Sequence, residues 1–122
     1  MINQFSGASI WSEDLHNLLP FYRDVLGLKV ALNSPGYVML GAESPGVPLL
    51  SLGTHSEVHG RSADAARHMV AFNSDDIQAD WQRLKAAGVE FVQDPTPEAG
   101  LTIATLKDPE GNLVQLFQFQ PG

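Results

Sequence analysis

The chain has 122 residues, which suits one compact domain or two small halves that share a core. It has 14 acidic and 7 basic residues, and its formal charge is −7. Nucleic acid and anionic membrane surfaces bind clusters of Lys and Arg, so we expect neither as a partner. The chain has no cysteine, so it forms no disulfide and offers no thiolate. No apolar run is long enough to span a membrane, and residues 1–5 lack the pattern of a signal peptide. We therefore expect a soluble, cytoplasmic protein.

The first half of the chain predicts one helix and four strands. A short apolar run at residues 8–11 precedes an amphipathic stretch from Asp14 to Gly27, whose apolar residues recur at steps of three and four. Ser12 or Asp14 can cap this helix, Gly27 can end it, and Pro20 is expected to disturb it. Further strands are predicted at residues 28–32, 37–41 and 47–52, with a turn at 43–46.

A polar stretch at residues 53–64 follows, and we interpret it as the linker between the halves. His55 and His59 lie in this stretch with Glu57 at the wrong offset for a metalloprotease motif. We therefore interpret both as exposed linker histidines.

The second half repeats the order of the first. An apolar run at residues 69–72 leads into an amphipathic stretch from Asp75 to Gly88, with Ser74 or Asp75 as its cap. Strands are predicted at residues 89–92, 101–106 and 113–119, with a turn at 108–111 before the last of them.

The two halves carry one pattern twice, because Asp14 and Asp75 lie 61 residues apart and open stretches that both close 13 residues later. The strand after each helix begins two hairpins, so three strands of each half are expected to be antiparallel neighbours. The predicted fold is α+β: two tandem βαβββ modules that form a curved, barrel-like mixed sheet cup, with helices outside and ligand space inside. The modules span about 1–53 and 66–122, with a linker at about 54–65, in a single domain of residues 1–122.

Three segments resemble a known family. Residues 14–28 are similar to its first helix, residues 68–76 followed by 84–89 form a second similar segment, and residues 108–117 are similar to its penultimate turn and last strand. The family is the vicinal oxygen chelate superfamily, which includes glyoxalase I, bleomycin-resistance proteins and extradiol dioxygenases. The resemblance implies the fold above and a homodimer, but it implies no single reaction, because this fold serves many chemistries.

The resemblance also implies where a metal would be held. Metal-dependent members bind one divalent ion through the first and last strands of both halves, and the matching positions here are Gly7, Ser51, His68 and Gln115. Such ions prefer imidazole and carboxylate ligands, and this set offers one imidazole and no carboxylate. We therefore predict no cofactor and no catalytic residue, with a bound divalent metal as the alternative.

Side chains alternate along a strand, so the metal positions predict which residues line the cup. If His68 faces inward, so does Phe72, and Trp11 is its equivalent at the repeat distance; inward Gln115 implies inward Phe117. Aromatic walls with a few polar groups suit a flat or amphipathic small molecule, although the same aromatics could instead fill a core. The predicted ligand-binding residues are Trp11, Ser51, His68, Phe72, Gln115 and Phe117.

The first functional hypothesis is metal-independent binding of a small hydrophobic or aromatic molecule in the cup, a sequestration of the bleomycin-resistance type. It is motivated by Gly7 and Ser51, which remove half of the metal set. The alternative is a metal-dependent lyase, isomerase or dioxygenase of the glyoxalase type with an atypical ligand set, motivated by His68 and Gln115. A third hypothesis is a regulatory or partner-binding module that has lost its ligand.

Overall fold

The computed structural model describes Met1 and residues 5–41 and 47–119, so the turn predicted at residues 43–46 lies outside the described residues. The chain divides into two compact units, Met1–Gly60 and Arg61–Gly122. Each unit has a helical segment after its first strand and a four-stranded mixed sheet. The predicted α+β fold of two tandem modules is therefore confirmed. Within the described ranges, no helix is long and apolar enough to cross a membrane.

The sheet of unit 1 contains β1 (Gly7–Ser12), β2 (Val30–Ser34), β3 (Tyr37–Leu40) and β4 (Leu49–Thr54). Their order in space is β1-β4-β3-β2. β1 and β4 run parallel, whereas β2, β3 and β4 form the predicted antiparallel hairpins. Gly36, in the turn between β2 and β3, has a φ of 72°, a conformation that favours glycine.

The predicted first helix is broken into two short pieces. A 3₁₀ segment, Leu15–Asn17, precedes a π segment, Phe21–Val25, where the sequence predicts one continuous helix. Pro20 explains the break, because a proline has no N–H and its ring clashes with the carbonyl one turn earlier. The amphipathic stripe is retained, since Leu18 and Tyr22 are both fully buried.

The two ends of this helical region agree with the prediction. The Asp14 carboxylate accepts a hydrogen bond of 3.0 Å from the His16 N–H, which is the cap. This backbone bond, with a second contact to the His16 ring, lowers the pKa of Asp14 because it stabilises the charged carboxylate. Gly27 ends the region with a φ of 84°.

The core of unit 1 lies on one face of its sheet. Leu18, Phe21 and Tyr22 are buried on the helical side. Burial of a side chain such as Leu18 or Phe21 contributes about 1.5–3 kcal/mol relative to exposure. The buried apolar side chains of β3 and β4 pair across the strands and so share one face: Val38, Leu40, Leu50 and Leu52. The opposite face of this sheet is therefore free of the helical core.

Unit 2 contains β5 (Val70–Asn73), α1 (Ile77–Ala86), β6 (Phe91–Glu98), β7 (Leu101–Lys107) and β8 (Leu113–Phe119). The sheet order is β5-β8-β7-β6, which repeats the order of unit 1. β5 and β8 are parallel, and β6, β7 and β8 are antiparallel as predicted.

α1 begins one residue later than the sequence suggested. Its cap is Asp76, whose carboxylate accepts a 3.1 Å hydrogen bond from the Ala79 N–H. The prediction of Ser74 or Asp75 as the cap is therefore wrong. The Ser74 hydroxyl instead donates to the Asp80 carboxylate at 2.6 Å. Adjacent acidic residues at the helix start made the choice ambiguous from sequence, because either can serve as a cap.

Gln118 fixes the start of α1 to the sheet. Its side-chain oxygen accepts a 2.8 Å hydrogen bond from the Ile77 N–H, and its side-chain nitrogen donates to the Asp75 carbonyl at 3.0 Å. Ile77 and Leu84 are buried on the helix. The buried apolar residues of β7 and β8 pair with one another on this helix-facing side: Ala104, Leu106, Val114 and Leu116.

With Asp76 as the cap, equivalent residues in the first strands of the two units lie 62 residues apart, and not 61. Asp14 and Asp76 cap the two helical regions, and the buried serines Ser12 and Ser74 precede them by the same two positions. A shift of one residue moves every side chain of a strand to the opposite face of its sheet. The faces predicted for β5 are therefore reversed.

The predicted turn at residues 108–111 is confirmed and joins β7 to β8. One carboxylate oxygen of Asp108 accepts hydrogen bonds of 2.9 Å from the N–H groups of Glu110 and Asn112. Gly111 has a φ of 83°. Asp and Gly thus have the separate turn roles that the sequence indicated, namely side-chain capping and positive φ.

Candidate functional site

The candidate site lies on the face of the unit 1 sheet opposite to its buried core. Strand register places six residues on this face, with Trp11, Gly53 and Tyr37 in one row and Ser9, Ser51 and Met39 in the next. We call this surface the aromatic face. We define it by the five side chains of these two rows, Ser9, Trp11, Tyr37, Met39 and Ser51, together with His55, whose ring contacts Trp11. It contains two of the residues predicted to bind ligand, Trp11 and Ser51.

Trp11 is the largest accessible group of the aromatic face, with 41% of its surface exposed. Its ring lies directly over Gly53, where an added Cβ would come within 2.5 Å of the Trp11 Cζ3 atom. The ring centroid lies 6.3 Å from that of Tyr37, with a tilt of 31° between the planes. The glycine therefore lets the indole rest against the sheet while part of it remains open to solvent.

Tyr37 and Ser51 form the polar part of the aromatic face. The two hydroxyl oxygens are 2.9 Å apart, and either can donate the hydrogen bond between them. Ser51 is only 6% exposed, whereas Tyr37 is half-buried. The serine is thus placed to orient the phenol, and the phenol is the more accessible of the two groups.

His55 is a member of the aromatic face that the sequence interpretation missed. The residue is exposed, as predicted, but its ring lies 5.8 Å from the Trp11 ring at an angle of 68°. Its Nδ1 accepts a 3.1 Å hydrogen bond from the Glu57 N–H, so the neutral ring carries its proton on Nε2. Alternation continued from Ser51 through Gly53 would have placed His55 on this face.

A cavity of about 490 Å³ adjoins the aromatic face on the side of His55. The Glu13 carboxylate lies 3.5 Å from the His59 Nδ1 and accepts a 3.3 Å hydrogen bond from the Gly60 N–H. The cavity is lined by Glu13, Thr54, His55, Ser56, Val58 and His59. The aromatic face is therefore bordered on this side by a polar wall that carries a carboxylate.

In unit 2, Gln115 and Phe117 share one face of β8, as alternation predicts. Gln115 lies beside Ala71 and Phe117 lies beside Asn73 on the neighbouring strand β5. The Phe117 ring is 6.2 Å from the Phe119 ring in an edge-to-face arrangement. This face thus combines an amide with aromatic surface, and it lies opposite to the face that carries α1.

Phe72 lies on the other face of that sheet. It pairs with Leu116, so its side chain is on the same side as the buried, helix-facing residues of β8. The prediction that Phe72 shares a face with Gln115 and mirrors Trp11 is wrong. The counterpart of Trp11 at the corrected distance is Asn73. The one-residue error in the predicted cap caused this, because strand faces have a period of two.

The residues at the implied metal positions do not suit a divalent ion. Counted from the corrected cap, the equivalent of Gly7 is Met69 and not His68, which is exposed and precedes β5. The set then becomes Gly7, Ser51, Met69 and Gln115, which contains neither imidazole nor carboxylate. Among the described residues, no three His, Asp or Glu side chains are grouped so as to hold a metal ion.

The chain also matches a known protein family. A family model described as the Glyoxalase/Bleomycin resistance protein/Dioxygenase superfamily matches residues 2–116. A Vibrio cholerae protein named "Probable lactoylglutathione lyase" is 29% identical over an alignment 115 residues long, and the match covers 86% of this chain and 83% of that protein.

Two solved structures have a similar fold. An antibiotic binding protein from a Streptomyces species gives a TM-score of 0.72 at 22% identity, covering 98% of this chain and 99% of the other. A lactoylglutathione lyase from Agrobacterium tumefaciens gives a TM-score of 0.72 at 23% identity, covering 96% of this chain and 94% of the other. At these identities the likeness concerns the fold alone.

Proposed function

Because the chain belongs to the Glyoxalase/Bleomycin resistance protein/Dioxygenase superfamily, we propose that it binds a small aromatic or hydrophobic molecule without a metal ion and sequesters it unchanged. The observation that carries this proposal is the open indole of Trp11, which rests on Gly53 between Tyr37 and His55. The predicted ligand contacts in unit 2, Gln115 and Phe117, belong to the same proposal, as does the predicted cup.

The aromatic face supplies the kind of surface that small planar molecules bind. A ring stacked on Trp11 removes apolar area from water on both partners, at about 25 cal/mol per Å². An offset or edge-to-face contact between aromatic rings adds about 0.5–1.5 kcal/mol. Tyr37 and Ser51 place a hydroxyl pair next to this apolar surface. Apolar walls with a few fixed polar groups are typical of small-molecule sites.

The chemistry of the implied metal positions argues against metal-dependent catalysis. Gly7 has no side chain, Met69 offers a soft thioether, and Ser51 and Gln115 are neutral oxygen donors. The set also lacks a carboxylate that could act as a general base. A binding role needs none of these groups, and the face around Trp11 suits it.

The competing function is a metal-dependent lyase, isomerase or dioxygenase of the glyoxalase type. The observation in its favour is the 29% identity to the Vibrio cholerae protein whose name carries a lyase activity. Metal analysis of protein purified without chelator separates the two functions. Less than about one tenth of an equivalent of divalent metal is expected if the donor set is too weak to retain an ion. Stoichiometric metal that is lost in Gln115→Ala would contradict the proposal.

The binding proposal is tested with 2-naphthol as a neutral aromatic probe and with matched tryptophan variants. Trp11→Ala should weaken binding at least about tenfold, equivalent to about 1.4 kcal/mol, because it removes the stacking surface. Trp81 lies on α1 in unit 2 and donates to Asp94, so Trp81→Ala should leave the affinity unchanged. Isothermal titration calorimetry measures both, after circular dichroism has confirmed that each variant is folded. Equal affinities of wild type and Trp11→Ala would refute the proposed site.

A further inference from the structure

We propose that Tyr37, held in place by Ser51, selects aromatic ligands that carry a hydroxyl group on the edge of the ring. This inference rests on the proposed binding function and names the chemical class of its ligand. It is carried by the hydroxyl pair of the aromatic face together with the position of that pair beside Trp11.

The Tyr37 ring lies next to the indole on which a ligand ring would stack. Tyr37 and Trp11 occupy the same row of the sheet with only Gly53 between them, and their centroids are 6.3 Å apart. The phenol reaches toward the neighbouring row, where its oxygen is 2.9 Å from the Ser51 hydroxyl. A ring that covers the open part of Trp11 therefore brings its edge to the hydroxyl pair.

The hydroxyl pair keeps hydrogen-bonding capacity for a ligand. Each hydroxyl has one proton and two lone pairs, and the bond between Tyr37 and Ser51 uses one proton and one lone pair. If Tyr37 donates to Ser51, its oxygen can accept from a ligand; if Ser51 donates, the phenol proton is available to a ligand. A hydroxyl on the ligand can donate or accept, so it matches both arrangements. An ether or carbonyl oxygen matches only one of them.

Burial makes this match selective. Ser51 is 6% exposed and Tyr37 is half-buried, and a ligand over Trp11 removes both hydroxyls further from bulk water. A ligand without a polar edge removes the Tyr37 hydroxyl from water without giving it a hydrogen-bond partner, and this desolvation weakens binding. A site with a buried hydrogen-bonding group rejects an analogue that lacks the matching hydroxyl. A typical net hydrogen bond corresponds to about threefold to about tenfold in affinity.

The experiment compares 2-naphthol with 2-methylnaphthalene, which has a similar size and shape but no hydroxyl. Wild-type protein should bind 2-naphthol about threefold to about tenfold more tightly. Tyr37→Phe keeps the ring and should reduce this ratio to about one, because 2-naphthol loses its hydrogen bond and 2-methylnaphthalene no longer desolvates an unpaired hydroxyl. Ser51→Ala should reduce the ratio partly, because the phenol loses its orienting partner, and Ser51→Thr should restore it. Equilibrium dialysis measures all dissociation constants.

The outcomes separate this inference from the function on which it rests. If both probes bind wild type and lose affinity in Trp11→Ala, but their ratio is the same in Tyr37→Phe, the binding function stands and the role of Tyr37 is refuted. If neither probe binds wild type, or Trp11→Ala changes neither, the proposed function fails and the selectivity fails with it. Circular dichroism and thermal melts establish that Tyr37→Phe and Ser51→Ala remain folded.

Discussion

At the scale of single residues, Gly53 decides where the Trp11 indole can lie. An alanine Cβ at this position would meet the Trp11 Cζ3 at 2.5 Å, while the nearest backbone atom, the Gly36 oxygen, is 3.3 Å away. Gly53 is not among the glycines with positive φ, so alanine suits its backbone. Gly53→Ala should therefore displace the indole and lower the free energy of unfolding by about 1–3 kcal/mol through overpacking. Fluorescence of Trp11 in a Trp81→Phe background measures the displacement.

A second glycine gives the control for this substitution. Gly27 has a φ of 84° and open space where a Cβ would be, so Gly27→Ala strains the backbone without touching Trp11. It should lower the free energy of unfolding by about 1 kcal/mol and leave the Trp11 spectrum unchanged. An unchanged spectrum in Gly53→Ala as well would show that the indole does not rest on this glycine.

Alternation along strands predicted some members of the candidate site and misplaced one. On β1 and β4 the prediction that Trp11 and Ser51 share a face is confirmed, because the neighbouring helical cap, Asp14, was correctly identified. On β5 the same reasoning put Phe72 on the wrong face, because it counted from Asp75. The role of these residues in ligand binding stays a prediction. His55 was missed because its segment was assigned to the linker before its parity was considered.

At the scale of secondary-structure elements, the corrected cap of α1 can be tested with adjacent residues. Asp76→Ala removes the carboxylate that accepts from the Ala79 N–H and should lower the free energy of unfolding by about 1 kcal/mol. Asp75→Ala is the matched control, since Asp75 contributes its carbonyl, and not its side chain, to the bond with Gln118. It should change stability by less than about 0.5 kcal/mol. Urea denaturation compares the free energies of unfolding of the two variants. A larger loss of stability in Asp75→Ala would show that Asp75 is the cap, and the repeat distance would then be 61 residues.

The elements themselves were largely predictable, because their signals are local. Every predicted strand overlaps a strand of the structure, and both glycines expected to end helical regions, Gly27 and Gly88, have positive φ. The 3₁₀ and π segments around Pro20 were not predictable in detail. The proline indicated a disturbance, but which hydrogen bonds replace the α-helical ones depends on how Leu18 and Tyr22 pack in the core. Burial of that apolar stripe is compatible with more than one helical geometry.

At the scale of the whole molecule, we expect the chain to form a homodimer. The family resemblance implies this assembly, and each sheet is open, with β1 and β2 or β5 and β6 at its edges, where strands of another chain can pair. The expected mass in light scattering is twice the chain mass of 13.2 kDa. A dimer that unfolds to monomers also has a melting temperature that rises with protein concentration, by mass action, between about 1 µM and about 100 µM. A mass of one chain throughout this range, with a constant melting temperature, would contradict the dimer and would require each ligand site to be complete within one chain.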